Sequence, residues 1–123
     1  NTILSQLRRY LYMNQVFILQ LPKIFDPRGN LTVAEEFKNV PFRIQSAEWK
    51  CHMPAGSHDK GKASKPCLFA ALAGSVSIQT RNGKEEESFI LNRPDQALYI
   101  DRGTSYDIHY CSSGVVILTL SEN

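Results

Sequence analysis

Apolar and polar residues alternate along most of the chain, and turn-forming residues interrupt this pattern at close intervals. The strand-like runs begin with VFILQL at 16–21, continue through FRIQSAEWKCHM, CLFAALAGSVSIQT, EESFIL, QALYI and YDIHYC, and end with VVILTL at 115–120. Between them lie RNGK, NRPDQ, DRGT and SSG, which consist of residues that favour turns. Closely spaced strands without a helical period between them predict an all-β sandwich or barrel.

The dipeptide Asn82-Gly83 lies between two of these runs and is the strongest hairpin signal in the sequence. Both central positions of a type I′ turn require positive φ, which asparagine and glycine tolerate best. We therefore predict a hairpin whose turn is centred on these two residues.

Helical spacing occurs only near the N-terminus, and it predicts a short amphipathic helix over residues 2–12. Thr2 can cap this helix, and its apolar face would consist of Ile3, Leu4, Leu7, Tyr10 and Leu11. We expect residues 1–12 to form an extension and residues 13–123 to form the domain, with Met13 as a candidate natural start.

Size and charge exclude several classes of protein. The chain has 123 residues, 42% of them hydrophobic and 21% charged, which is typical of one globular domain. A net charge of +2 is too weak to indicate nucleic acid or a membrane surface as a partner. No apolar run approaches the ~20 residues that span a bilayer. The N-terminal stretch lacks the basic-then-apolar order of a signal peptide, so we predict a cytoplasmic protein.

Cysteine and histidine usage argues against a disulfide framework and against a metal site. The three cysteines are odd in number and lack CxxC spacing, so we expect buried free thiols at Cys51, Cys67 and Cys111. A metal centre needs three or four converging ligands, and the scattered histidines do not supply them. We predict that the protein binds no metal and no other cofactor.

Two motifs carry a resemblance to a known family: D-x-R-G-x-L at 26–31 and NRPDQALYI at 92–100. Together with AGSVSIQTRNG and the final SSGVVILTL, they resemble the nucleotide-sugar 3,4-ketoisomerases. These small cupins isomerise dTDP-4-keto-6-deoxyglucose on the way to deoxysugars of bacterial surface glycans. The resemblance extends from about Val16 to Leu120. It implies a jelly-roll β-barrel, a dTDP-linked keto sugar as ligand, and a homodimer to which VFILQL contributes.

The sequence departs from the family at its catalytic histidines. The family has His-x-His and then Glu-Gln before the buried strand, and later a Trp-His pair. Counting back from Gly74 without gaps places Lys60 and Lys62 on the two histidines and Pro66-Cys67 on Glu-Gln. Ser105-Tyr106 stands where Trp-His is expected. An alternative placement with a two-residue insertion puts His58 on the first histidine and Lys60 on the second.

Moving a ketone from C4 to C3 requires a group that removes a proton from C3 and returns one at C4. The candidates are His58, Lys60, Lys62 and Tyr106. The two lysines would share one face of a strand, where each would lower the pKa of the other. Alternatively, HDKGKASK is a solvated loop, which we favour because lysine side chains are mostly exposed. A third interpretation pairs the lysines with a diphosphate.

Four further residues are candidates for substrate binding: Arg28, Trp49, Tyr99 and Ser105. Arg28 suits an anion, or it braces its turn by pairing with Asp26. Trp49 suits stacking on a sugar or a base, or it fills the core.

Two classes of function follow from this combination. The first is an isomerase with an altered acid–base set, and the second is a cupin that binds a nucleotide-sugar or another carbohydrate without catalysis. Three losses around one pocket lead us to expect a relaxed DKGK loop and very low ketoisomerase turnover. A metal-dependent cupin oxygenase fits worst, because its histidine-rich motif is missing.

Overall fold

The computed structural model describes residues 15–122, which form eleven β-strands and no α-helix. In chain order these strands are β1 (Val16–Gln20), β2 (Lys23–Asp26), β3 (Gly29–Thr32), β4 (Ser46–Met53), β5 (His58–Lys62), β6 (Cys67–Ala73), β7 (Val76–Asn82), β8 (Glu85–Leu91), β9 (Gln96–Ile100), β10 (Ser105–Tyr110) and β11 (Val115–Ser121). One sheet has the order β1-β9-β6-β11-β4, a second has the order β5-β10-β7-β8, and β2 and β3 form a separate hairpin. All ladders between these strands are antiparallel.

The predicted all-β class is confirmed, whereas the predicted closed barrel is not observed. No ladder joins the five-stranded sheet to the four-stranded sheet within the described residues, so the two sheets form an open sandwich. The predicted helix at 2–12 and the predicted domain start at Met13 lie outside the described residues.

The main core lies between the two sheets. It contains inward-facing residues of both, such as Phe69 and Leu98 on one side and Ile78 and Ile108 on the other. Burial of these alternating residues drives the two sheets together, because apolar surface is removed from water on each strand.

A second core covers the outer face of the five-stranded sheet. Val40 and Phe42, from the irregular segment between β3 and β4, pack there against Leu68, Tyr99 and Leu120. The central strands of this sheet are therefore buried on both faces. This explains why CLFAA is a continuous apolar run instead of an alternating one.

The predicted hairpin between β7 and β8 is present, but its turn lies one residue later than expected. Asn82 pairs with Glu85, so Gly83 and Lys84 are the central residues. Only Gly83 has positive φ, at 65°. This fits a type II′ turn, which requires positive φ at its first central residue alone. Asn82 remains in the strand.

Candidate functional site

A polar cleft opens between the two sheets, at the side where β4 and β5 are the edge strands. Its volume is about 210 Å³. The strands that form its walls are β4, β6 and β11 of one sheet and β5 and β10 of the other. Its lining residues are Glu48, Lys50, Asp59, Lys62, Ala63, Ser64, Cys67, Phe69, Tyr106, Ile108, Tyr110, Ile117 and Thr119. A concave site with apolar walls and a few converging polar groups is the usual form of a small-molecule site.

The segment predicted as a solvated loop is instead the edge strand β5. It pairs with β10, with His58 opposite His109 and Lys62 opposite Ser105. Along β5, Asp59 and Gly61 are partly buried, whereas the alternate residues are exposed. Because successive side chains of a strand point to opposite faces, Asp59 faces the cleft and Lys60 faces away from it.

Asp59 is held in the cleft by one residue from each sheet. The Tyr110 hydroxyl donates a hydrogen bond of 2.5 Å to Oδ2 of Asp59. The Lys50 ammonium donates to the same oxygen at 3.0 Å, across the opening between β4 and β5. These bonds, the one from Tyr110 above all, hold the pKa of Asp59 below its ordinary value. Burial, and then the neighbouring carboxylate, raise the pKa of Tyr110.

Tyr106 lies directly against β5 because Gly61 has no side chain. A Cβ atom at residue 61 would stand 2.5 Å from the Tyr106 hydroxyl oxygen and 2.7 Å from its Cζ. On its other side the tyrosine ring contacts Phe69, with ring centroids 5.2 Å apart. Burial raises the pKa of Tyr106, so its hydroxyl is a hydrogen-bond donor at neutral pH.

A β-bulge follows Lys50 directly. There Cys51 and His52 stand opposite a single residue of β11, and His52 has a φ of 62°. Bulges re-aim side chains and are common near active sites.

Three of the predicted site residues, His58, Lys60 and Ser105, lie on the outer face of the four-stranded sheet. His58 Nδ1 is 2.9 Å from Oδ1 of Asp107. Its ring stacks on His109, with centroids 4.5 Å apart. Lys60 and Ser105 border an open depression of about 710 Å³ on this face. This depression has a single sheet as its floor, whereas the cleft has a wall on each side.

The other predicted residues are dispersed, and only Lys62 and Tyr106 line the cleft. The Arg28 side chain is 92% exposed and pairs with Asp26 at the tip of the β2–β3 hairpin, as the bracing alternative predicts. Trp49 is 66% exposed, and it lies between two cleft residues of β4, so it points to the opposite face. Tyr99 is buried in the second core beside Phe17, with ring centroids 5.0 Å apart.

The residues that sequence reasoning missed share one face of their strands: Glu48 and Lys50 on β4, Asp59 on β5 and Tyr110 on β10. The available signal was alternation. Side chains alternate between the two faces of a strand, so a shift of one residue in the count exchanges the faces. Counting in steps of two from Asp59 instead of Lys60 places Asp59 and Gly61 on the inward face.

The prediction of buried free thiols holds only in part. The cysteines are all free, but Cys51 and Cys111 are exposed, so the predicted burial is wrong for these two. Burial raises the pKa of the Cys67 thiol to about 11.

Within residues 15–122, no group of three or more His, Cys, Asp and Glu side chains is placed to hold a metal ion. The same residues include no helix that is long and apolar enough to cross a membrane.

The hydrogen bonds of Asp59 predict an acid-dependent loss of stability. Because its pKa is lowered in the folded state, the ionised carboxylate stabilises the fold at neutral pH, and this contribution is lost as the pH falls through the folded pKa. Asp59→Asn cannot ionise, so it should be less stable than wild type at neutral pH and approach wild type in acid. Urea denaturation at a series of pH values measures the difference, and a gap that is independent of pH would contradict this expectation.

The family described as FdtA, WxcM-like C-terminal, matches residues 14–123 of the chain. The TDP-4-oxo-6-deoxy-alpha-D-glucose-3,4-oxoisomerase of Aneurinibacillus thermoaerophilus is 28% identical over 110 residues, which cover 86% of this chain and 78% of that protein.

Solved structures of 3,4-ketoisomerases have closely similar folds. The TDP-quinovose 3,4-ketoisomerase WlaRB of Campylobacter jejuni gives a TM-score of 0.84 at 28% identity, with 90% of this chain and 87% of that chain covered. A histidine-to-asparagine mutant of the 3,4-ketoisomerase QdtA of Thermoanaerobacterium thermosaccharolyticum, solved with TDP-4-keto-6-deoxyglucose, gives a TM-score of 0.82 at 25% identity. The match covers 90% of this chain and 81% of that one. The resemblance found in the sequence is confirmed, and the chain belongs to the FdtA, WxcM-like C-terminal family.

Proposed function

We propose that this chain binds a TDP-linked 4-keto-6-deoxy sugar in the cleft between the sheets and transfers its keto group between C4 and C3 more slowly than histidine-bearing ketoisomerases do. The observation that carries the proposal is the convergence of two carboxylates, two ammonium groups and two phenols in the cleft. Family membership and the names of the relatives supply the substrate class. The process served would be bacterial deoxysugar biosynthesis in the cytoplasm.

The reduced rate follows from the composition of the cleft. No histidine is among its lining residues. An imidazole titrates near neutral pH, whereas a carboxylate with a lowered pKa is a weak base and a buried phenol is a weak acid. Well-matched general acid–base groups contribute about 10²–10⁴-fold to rate. We expect turnover below that of histidine-bearing relatives by a factor in this range.

The alternative is a cupin that binds the same ligand without catalysis. The outward direction of Lys60 and the weak basicity of Asp59 favour it. Contacts that position a ligand are separable from contacts that transfer protons, so binding can survive without turnover.

We also propose a homodimer that forms through β1. This strand is at one edge of the five-stranded sheet and pairs only with β9 among the described residues. A strand at the edge of a sheet is a template for pairing with a second copy, which would continue the sheet across the interface.

Calorimetry with TDP and with TDP-4-keto-6-deoxyglucose, together with NMR of the keto position, tests the function. We expect the wild type to bind both ligands and to turn over slowly. Lys62→Ala should weaken binding because Lys62 borders the cleft, whereas Lys60→Ala should leave binding and turnover unchanged. An absence of binding would refute the proposal. Rapid turnover that Lys60→Ala abolishes would show that the lysine is the new catalyst.

A further inference from the structure

We infer that Asp59 is the proton-transferring group of the cleft and that Tyr110 and Lys50 are its positioning residues. The inference rests on the proposed function, since it concerns the same site and the same keto sugar. It assigns the chemistry to a carboxylate on β5, one residue before the lysine that the count back from Gly74 places on the first family histidine.

The first argument is the geometry of the carboxylate. Tyr110 and Lys50 both donate to Oδ2 of Asp59, so neither bond occupies Oδ1. Two anchors from different strands, β10 and β4, fix the direction of the side chain. Proton transfer requires a base that is held in one orientation and has an oxygen available to the substrate. Asp59 meets both conditions.

The second argument is the difference in exposure between Asp59 and its anchors. Tyr110 is fully buried, whereas the Asp59 side chain keeps 29% of its surface. Solvent, and therefore a ligand, can reach the carboxylate more readily than Tyr110, which lines the cleft but keeps almost no accessible surface. An ion pair as exposed as Lys50–Asp59 contributes little to stability, so stability alone is a weak reason for that pair.

The third argument is that the neighbouring Tyr106 completes the reaction. Oδ1 of Asp59 takes the proton from C3, the C3–H electron pair forms the C3=C4 bond, and the carbonyl electrons move to O4. The Tyr106 hydroxyl donates its proton to O4, so the negative charge moves from Asp59 to the Tyr106 oxygen, where the Lys50 ammonium stabilises it electrostatically. The Tyr106 oxygen then accepts the proton of the C3 hydroxyl, which becomes the new carbonyl, while C4 takes the proton from Asp59. All protein groups return to their initial states, and no oxidant or reductant is required.

The pH dependence of the reaction distinguishes Asp59 from other bases. The titratable groups that line the cleft around it are Glu48, Lys50, Lys62, Cys67, Tyr106 and Tyr110. The hydrogen bond from Tyr110 keeps the pKa of Asp59 low, so the rate should be flat through neutral pH and fall only in acid. Tyr110→Phe removes that bond, so the acid limb of the rate profile should move to higher pH.

The experiment follows deuterium exchange at C3 and appearance of the 3-keto sugar by NMR, with TDP-4-keto-6-deoxyglucose in D₂O. Asp59→Asn removes the base and nearly preserves its shape, so we expect about 10²–10⁴-fold slower exchange with ligand affinity retained. The matched control is Asp107→Asn, which changes a partly buried carboxylate on the outer face of the same sheet and should leave exchange unchanged. The pH profile of Tyr110→Phe is the second readout, and it applies even where Asp59→Asn fails to fold.

The outcomes separate this inference from the proposed function. If the wild type does not bind the TDP sugar, the proposed function fails. If it binds but C3 exchanges no faster than in buffer, or if Asp59→Asn exchanges as fast as wild type, the inference is overturned while the binding site stands. An acid limb that Tyr110→Phe does not move would also overturn it. The inference is supported if Asp59→Asn slows deuterium exchange at C3, Asp107→Asn exchanges at the wild-type rate, and Tyr110→Phe moves the acid limb to higher pH.

Discussion

Phe42→Ala should lower the free energy of unfolding by about 3–5 kcal/mol, the usual cost of truncating a buried phenylalanine. Phe42 is 0% exposed. Its ring lies 6.2 Å from the ring of Tyr99, centroid to centroid. Phe42 belongs to the irregular segment between β3 and β4, so the cavity left by its ring would loosen the packing of that segment against the second core. A loss of this size is a large part of the 5–15 kcal/mol typical of a domain.

The control for this prediction is Phe25→Ala. Phe25 has the same side chain, but it is 82% exposed on the β2–β3 hairpin. We expect a change within about 0.5 kcal/mol, as for most surface substitutions. Urea denaturation of both variants measures the difference. If the two substitutions cost the same, the segment between β3 and β4 does not cover the five-stranded sheet as described.

Gly61→Ala should destabilise the protein by about 1–2 kcal/mol, and the cost should depend on Tyr106. The new methyl group would occupy the place of the tyrosine hydroxyl, which the contact with Phe69 prevents from moving freely. Gly61 does not have positive φ, so alanine fits its backbone. In a Tyr106→Ala background the collision is removed, and Gly61→Ala should become neutral or stabilising, because alanine has the lower backbone entropy when unfolded.

A double-mutant cycle over these two residues measures the coupling from four unfolding curves. Residues in direct contact give coupling energies of about 0.5–3 kcal/mol. A coupling near zero would mean that Tyr106 does not lie against β5, and the inward direction of Gly61 and Asp59 would lose its support.

The all-β fold and the family could be predicted from the sequence because their signals are local. Alternation and turn residues indicated β7, β8 and the hairpin between them. The exact turn could not be fixed, since asparagine and glycine tolerate positive φ in more than one register. Only the pairing of Asn82 with Glu85 excludes Asn82 from the turn.

The candidate site was harder to predict because it depends on which face of an edge strand points inward. HDKGK contains residues that are rare in strands, so its local sequence indicates a loop. It becomes a strand through pairing with β10, a partner more than forty residues later. The count back from Gly74 placed Lys60 and Lys62 on the histidines, but the inward face of β5 carries Asp59 and Gly61, and Lys62 borders the cleft only at the end of the strand.

The aromatic candidates show a related limit. Trp49 and Tyr99 both occur in strands, and side-chain type alone does not tell which layer of the sandwich each one meets. The segment between β3 and β4 buries Tyr99 on the outer face, whereas the sequence made Tyr99 a candidate for substrate binding. No described segment covers Trp49 in the same way, and it stays exposed.

A crystal structure of the complex with TDP-4-keto-6-deoxyglucose tests the central claim most directly, which is that the sugar binds between the two sheets. We expect the hexose ring in the cleft, with C3 within about 3–3.5 Å of Oδ1 of Asp59. The hydroxyl of Tyr106 should face O3 and O4. A sugar bound instead on the outer face of the four-stranded sheet, against Lys60 and Ser105, would contradict the account.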